Sequence, residues 1–134
     1  MFLGQFEPQF SFHSKRLSIP VKLRSSLSKG KVILSKGFDQ CIFGYSVEGW
    51  DAQSVKHLEN PISDLTSRDL RRFIFSASES VDFDSQGRMV IPKILIDYAG
   101  ITNSVTVVGA GDHFEIWASN KWESKINEID TQNR

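Results

Sequence analysis

The feature that most constrains this sequence is an internal repeat with an offset of 72 residues. In this register residues 16–20 (RLSIP) fall on residues 88–92 (RMVIP) without a gap. A glycine, an aromatic residue and a tryptophan continue the match: Gly37 and Gly109, Tyr45 and Trp117, Trp50 and Trp122. So many matches at one constant spacing indicate a duplicated unit. Two copies form a tandem pair and not a solenoid, because stacked repeats need at least about three units.

The second copy predicts a strand, a turn, a short strand, a short helix, a β-hairpin and a terminal helix. Alternation over residues 79–83 and the glycine-containing turn 84–87 predict two strands joined by a turn. Pro92 suits the first turn of a helix over residues 93–99, and Gly100 ends that helix. The segments 105–108 and 114–117 predict the hairpin, and a helix follows with Ser119 as its N-cap.

The first copy predicts the same order, with a strand that runs to Phe12 and a terminal helix that Trp50 opens. We expect three units: a first repeat over residues 1–57, a helical connector over 58–75 with a cap at Thr66, and a second repeat over 76–134. No Pro/Gly/Ser-rich linker separates the copies, so we expect them to pack as one body. The remaining first-copy segments are a strand at 17–19, a helix at 21–27 and hairpin strands at 32–34 and 41–45.

Charge is unevenly distributed along the chain, although 16 basic and 16 acidic residues cancel overall. Residues 1–62 carry 8 basic and 5 acidic residues, and residues 63–134 carry 8 and 11. Between Lys15 and Lys36 there are seven basic residues and no acidic one. Such a segment is typical of phosphate binding, but a solvated basic surface would have the same composition.

Several functional classes lack support in the sequence. Cys41 is the only cysteine, which rules out an intrachain disulfide and a cysteine-based zinc motif. No segment approaches the ~18 apolar residues of a membrane span, and the N-terminal residues do not resemble a signal peptide. We find no catalytic constellation, metal-ligand spacing or nucleotide-binding signature. We therefore expect a cytoplasmic protein without enzymatic activity, cofactor, metal or small-molecule substrate.

Motifs along nearly the whole chain resemble the MraZ family. They are the opening MFLG, the turn followed by RLSIP, the segment RRFIFSA (71–77), the turn DSQGR (84–88) followed by Ile91-Pro92, and EIW (115–117) with Trp122. Their order and spacing agree, although any single motif is weak.

The resemblance implies an α+β, mainly β fold of the AbrB and MazE class, a tandem swapped-hairpin (double-split) β-barrel with short helices. It also implies a transcriptional regulator of the division and cell-wall operon that binds short direct repeats upstream of it. The expected partners are double-stranded DNA and further copies of the chain, assembled into a ring and associated with the nucleoid.

The family's Asp-x-x-x-Arg motif carries over to Asp84 and Arg88 but only partly to the first copy. There Phe12 stands at the aspartate position and Lys15 replaces the glycine before Arg16. An Asp–Arg pair across a turn can orient the guanidinium toward DNA or can merely stiffen the turn, and both interpretations stay open.

The expected DNA-binding side chains lie mainly in the first copy, which we hypothesise makes the main contact. His13 could add a charge near neutral pH, but an exposed histidine without a role is the simpler interpretation. The complete set is His13, Lys15, Arg16, Lys22, Arg24 and Arg88.

Two other functions remain to be separated from DNA binding. An antitoxin-like protein would use a C-terminal segment to wrap a partner, whereas residues 119–130 predict an ordinary amphipathic helix. An enzyme on a small barrel would need a catalytic constellation that we do not find.

Overall fold

The chain forms nine strands and five helices, and the computed structural model describes all residues from 1 to 134. The first copy contains β1 (Gln5–Phe6), β2 (Phe10–Ser11), β3 (Arg16–Ser18), α1 (Val21–Arg24), β4 (Lys31–Lys36), β5 (Ile42–Tyr45) and α2 (Val47–Leu58). After α3 (Leu65–Phe75), the second contains β6 (Glu79–Asp82), β7 (Arg88–Val90), α4 (Lys93–Ala99), β8 (Val105–Gly109), β9 (Phe114–Ala118) and α5 (Ser119–Gln132). The predicted order of elements is confirmed, except that two short strands, β1 and β2, stand where one was expected.

The fold is mixed α and β with antiparallel sheets, as predicted at this coarse level. One sheet has six strands in the order β1-β8-β9-β5-β4-β6, and the other has three in the order β2-β3-β7. Each sheet has two end strands, so backbone hydrogen bonds do not close the strands into a barrel. Short helices connect and cover the sheets.

The two copies exchange strands. β1 of the first copy pairs with β8 of the second, and β6 of the second copy pairs with β4 of the first. The two hairpins join through β5 and β9, where Ile42 lies opposite Ile116. Because both sheets contain strands from both copies, neither copy completes its sheets alone, and the predicted packing as one body is confirmed.

A single large core serves both copies. It contains 19 buried residues, among them Leu17 and Met89, which lie opposite each other at the centres of β3 and β7. In the hairpins, the Phe114 ring lies directly against the α-carbon of Gly44, its partner across β5 and β9. A half-chain of this size would be only marginally stable alone, and the shared core buries apolar surface of both copies together.

Most helix boundaries follow from local sequence, and three predictions about the helices within the two copies are wrong. α4 begins after Pro92 and ends at Gly100, whose φ of 65° is left-handed, as predicted. α5 follows Ala118, and the Ser119 hydroxyl is 2.9 Å from that of Thr106 instead of capping the helix. α1 ends at Arg24, three residues earlier than expected. α2 begins three residues before Trp50, because the Ser46 hydroxyl accepts a hydrogen bond from Gly49 N.

The connector is helical only in part. α2 runs to Leu58 and α3 begins at Leu65, with a loop between them. The N-cap of α3 is Asp64 and not Thr66. The Asp64 carboxylate accepts hydrogen bonds from the amide and hydroxyl of Ser67 at 2.9 and 2.8 Å. The structure contains no helix long and apolar enough to cross a bilayer.

Candidate nucleic-acid interface

A two-stranded ribbon of β3 and β7 brings the repeated arginines of both copies onto one surface. Arg16 lies opposite Val90, and Ser18 lies opposite Arg88. Since side chains alternate between the two faces of a strand, these four residues share the outer face, while the residues between them enter the core. Arg16 and Arg88 are therefore diagonal neighbours, with β-carbons roughly 7–8 Å apart by ordinary sheet geometry.

Two matching hydrogen bonds clamp the ends of this ribbon. The amide of Ile19 donates to the carbonyl of Gly87 at 2.7 Å, and the amide of Ile91 donates to the carbonyl of Lys15 at 2.8 Å. In each bond, the donor is the isoleucine before the repeated proline of one copy. The acceptor is the residue before the repeated arginine of the other copy. The position of each arginine thus depends on the opposite copy.

In the second turn, Asp84 holds both the backbone and the side chain of Arg88. One carboxylate oxygen accepts from the amides of Gln86 and Arg88 at 2.9 and 3.0 Å, and the other accepts from Arg88 Nε at 2.8 Å. The hydrogen bond from the Arg88 amide is the main cause that lowers the pKa of the Asp84 carboxyl. Neither Nη atom of Arg88 has a protein partner, so the outer edge of its guanidinium is open to a ligand.

The first turn also has a left-handed residue before its arginine, but its chemistry differs. Lys15 adopts a left-handed φ of 58° where the second turn has Gly87 at 78°. Phe12, at the aspartate position, is 53% exposed. The Arg16 side chain is exposed and forms no hydrogen bond or ion pair. No carboxylate of the first turn therefore neutralises the charge of its guanidinium.

Arg16 and Arg88 line a shallow concavity of about 450 Å³ on the three-stranded sheet. They are the only charged residues among those lining it, and the remainder are Gln9, Phe10, Ser11, Ser14 and Ser18. Gln9, Ser11 and Ser18 were not among the site residues predicted from the sequence. Alternation along β2 and β3 was the available signal, but the pairing of β3 with β7 was needed to bring these residues near Arg88.

The other predicted basic residues are dispersed. Lys22 and His13 are exposed and have no side-chain partner, whereas Lys15 is half-buried. Further along the basic segment, Lys31 pairs with Asp82 at 2.7 Å, and the ammonium of Lys36 lies over the rings of Phe73 and Tyr98. Part of the positive charge predicted for the first copy is therefore offset by second-copy residues.

Arg24 is separated from the Arg16 and Arg88 concavity. It is partly buried against the second turn, where its Nη1 lies 3.4 Å from the carbonyl oxygen of Ser85. Its Nε is buried and has no hydrogen-bond partner.

A second polar cluster, unrecognised from sequence, surrounds His113 in the β8–β9 turn. The two ring nitrogens lie 2.7 Å from an Asp112 carboxylate oxygen and 2.8 Å from a Glu115 oxygen. Burial alone would lower the pKa of His113, but these carboxylates outweigh it and the net pKa is raised. The ring stacks on Tyr45 of the first copy with centroids 5.6 Å apart. The sequence Asp-His-x-Glu was the available signal, and no group of residues here has the composition of a metal site.

Comparison with known proteins identifies the family. The sequence model of the MraZ protein family, described as antitoxin-like, matches twice, at residues 1–73 and 74–134. A protein of Acetivibrio thermocellus named transcriptional regulator MraZ is 40% identical over 92% of this chain and 85% of its own length. Proteins of the same name from Clostridium botulinum and Roseiflexus sp. are 39% and 33% identical over 97% of the chain and 89% and 90% of their own lengths. The chain spans these relatives almost completely and contains both copies of the family's unit, and it therefore belongs to the MraZ family.

Proposed function

We propose that this protein is a DNA-binding transcriptional regulator; its relatives are named transcriptional regulators. The observation that carries the proposal is the β3–β7 ribbon, on which Arg16 and Arg88 share one exposed face. Two guanidinium groups without a carboxylate on their outer edges form a surface suited to phosphate or guanine.

The ribbon has a shape that DNA accepts. The major groove of B-DNA, about 12 Å wide, admits a two-stranded β-ribbon, and β3 and β7 form such a pair with the two-residue β2 beside β3. Asp84 engages only Nε of Arg88, so both Nη groups stay available for a bidentate contact. Because the pair fixes the guanidinium in advance, less side-chain entropy is lost on binding.

The first copy supplies charge that is not fixed by a turn carboxylate. Arg16 lies on the ribbon, and Lys15, Lys22 and His13 lie on the turn and helix beside it. Each lysine or arginine among them that neutralises a phosphate releases counterions and steepens the salt dependence of binding. We therefore propose that both copies contribute to one DNA surface, with the first copy supplying more of the charge.

The wider biological expectations rest on family membership. We propose that the target is a set of short direct repeats upstream of the division and cell-wall operon, that the protein acts at the nucleoid, and that copies assemble into a ring. A ring that presents the ribbon several times would bind repeated sites with an avidity above that of one subunit. We also infer that the exchange of β1 and β6 between copies is this chain's version of the swapped-hairpin arrangement of the AbrB class. No step of the proposal requires catalysis.

Fluorescence anisotropy with a duplex from the region upstream of the chain's own operon tests the function. We expect tighter binding to that duplex than to a scrambled duplex of equal length, at two salt concentrations. Equal affinities for the two duplexes would contradict the proposal that the protein is a sequence-specific regulator. In that case, stable binding to a co-expressed partner protein would favour the antitoxin-like alternative.

A further inference from the structure

We propose that Arg24 is a positioning residue for the DNA-binding turn, so that the first copy sets the direction of Arg88 in the second. The inference rests on the proposed DNA-binding function and concerns a residue that sequence reasoning placed among the phosphate contacts.

The side chain of Arg24 lies directly beneath the turn. A β-carbon at Gly87 would lie 2.7 Å from both Cδ and Nε of Arg24, which places the guanidinium against the glycine backbone. Nη1 approaches the carbonyl oxygen of Ser85 at 3.4 Å. Arg24 thus contacts Ser85 and Gly87, the residues on either side of Gln86. In the chain, these residues lie between Asp84 and Arg88.

The helix that presents Arg24 is itself fixed to the same turn. Ile19, just before Pro20 and α1, donates its amide to the carbonyl of Gly87 at 2.7 Å. α1 and the second turn are therefore held together at two points, one on the backbone and one through Arg24. Arg24 lines neither of the two concavities that contain Arg16 and Arg88.

The repeat provides an internal comparison. At the offset of 72 residues, Arg24 corresponds to Ile96 and Gly87 corresponds to Lys15. Ile96 is 2% exposed, so an aliphatic side chain fills this position in the second copy. Packing alone therefore does not require a guanidinium, and an arginine with a buried, unpartnered Nε is a costly way to fill the space. Arg24 packs against the second turn, and only this turn contains the Asp84–Arg88 pair.

The expected mechanism is indirect. Arg24 limits movement of residues 85–87, and this preserves the hydrogen bonds from Gln86 and Arg88 amides to Asp84. Loss of Arg24 frees the turn and lets Arg88 sample directions that do not fit DNA. We expect about a tenfold loss of affinity for the specific duplex, the size of one oriented contact.

The test measures binding of Arg24→Ile, Arg24→Lys, Arg88→Ala and the double variant Arg24→Ile/Arg88→Ala to the specific duplex by anisotropy. Lys56→Ile, on α2 and outside the ribbon, is the charge-matched control. We expect Arg24→Ile to weaken binding only when Arg88 is present, and Arg24→Lys to weaken it as well, because an ammonium cannot lie flat against the glycine. A phosphate contact would instead survive as lysine, since lysine is also a good phosphate ligand.

Nuclear magnetic resonance of the free protein provides a readout that requires no DNA. We expect Arg24→Ile and Arg24→Lys to shift the Arg88 Nε–H and amide signals, whereas Lys56→Ile leaves them in place. Unshifted signals, wild-type affinity for Arg24→Lys, or an equal loss from Arg24→Ile with and without Arg88 would each overturn the inference. If the wild-type protein failed to discriminate the duplexes while the signals shifted, the proposed function would fail and the positioning role would stand.

Discussion

Asp84 binds Arg88 at two points, since its carboxylate accepts hydrogen bonds from the backbone amide at 3.0 Å and from the guanidinium Nε at 2.8 Å. Asp84 therefore fixes both the backbone conformation of the turn and the direction of the Arg88 side chain. Both partners are about half exposed, so the ion pair itself contributes little to stability, and orientation is its main expected effect.

Substitution Asp84→Ala distinguishes orientation from simple charge. Removing a carboxylate from a DNA-binding face should strengthen binding if only net charge mattered. We expect the opposite, a loss of about 5- to 150-fold in specific affinity, because Arg88 would no longer be held for its contact, worth about 1–3 kcal/mol.

Asp82→Ala is the charge-matched control for Asp84→Ala, since Asp82 pairs with Lys31 outside the turn. Anisotropy titrations of both variants are the measurement. Tighter binding by Asp84→Ala would mean that the pair only stiffens the turn.

Arg16→Ala and Arg88→Ala test whether both copies bind DNA. We expect each to weaken binding and to reduce the magnitude of the salt slope by about 1, because each arginine is proposed to contact the DNA. Lys56→Ala on α2, outside the ribbon, is the control and should change affinity much less. An unchanged affinity for Arg16→Ala together with abolished binding for Arg88→Ala would assign the contact to the second copy alone.

Lys15→Gly should stabilise the fold. Lys15 has a left-handed φ of 58°, which costs a side-chain-bearing residue about 1–2 kcal/mol. Glycine removes this cost but adds unfolded-state entropy worth roughly 0.4–1 kcal/mol, so we expect a net gain of about 0.5–1 kcal/mol in urea unfolding. The reciprocal change Gly87→Ala should destabilise, since the new β-carbon would meet Arg24. A less stable Lys15→Gly variant would show that the lysine side chain supports the turn.

His113→Gln should reduce stability in a pH-dependent way. A carboxylate oxygen lies within hydrogen-bond distance of each ring nitrogen of His113. The two carboxylates favour the protonated imidazolium, which can donate from both nitrogens, and they raise its pKa above the ordinary value of 6.5. A raised pKa stabilises the folded state fully below pH 6.5, and that contribution disappears as pH rises through the folded pKa. We therefore expect a larger difference in unfolding midpoint between wild type and variant at pH 6 than at pH 9. A difference independent of pH would mean that His113 contributes by packing on Tyr45 alone.

The identity of the local elements was accessible from the sequence. Pro92 and Gly100 delimit α4 because one restricts φ and the other tolerates a left-handed φ, and both properties belong to single residues. β-branched and aromatic residues mark β8 and β9 for the same local reason. The repeat and its motifs, which lie in one linear register, were sufficient to indicate the family.

Tertiary structure decided which elements meet. Any β-strand can pair with several others, so the exchange of β1 and β6 depends on the shared core and not on the composition of either strand. The same long-range packing brings Arg16 beside Arg88, pairs Lys31 with Asp82 and turns Arg24 beneath Gly87. The sequence alone thus determined the elements and the duplication, and it supplied the arginines that we propose bind DNA. Only the three-dimensional packing decided which arginines share a face, because contacts between residues far apart in the chain depend on the whole core at once.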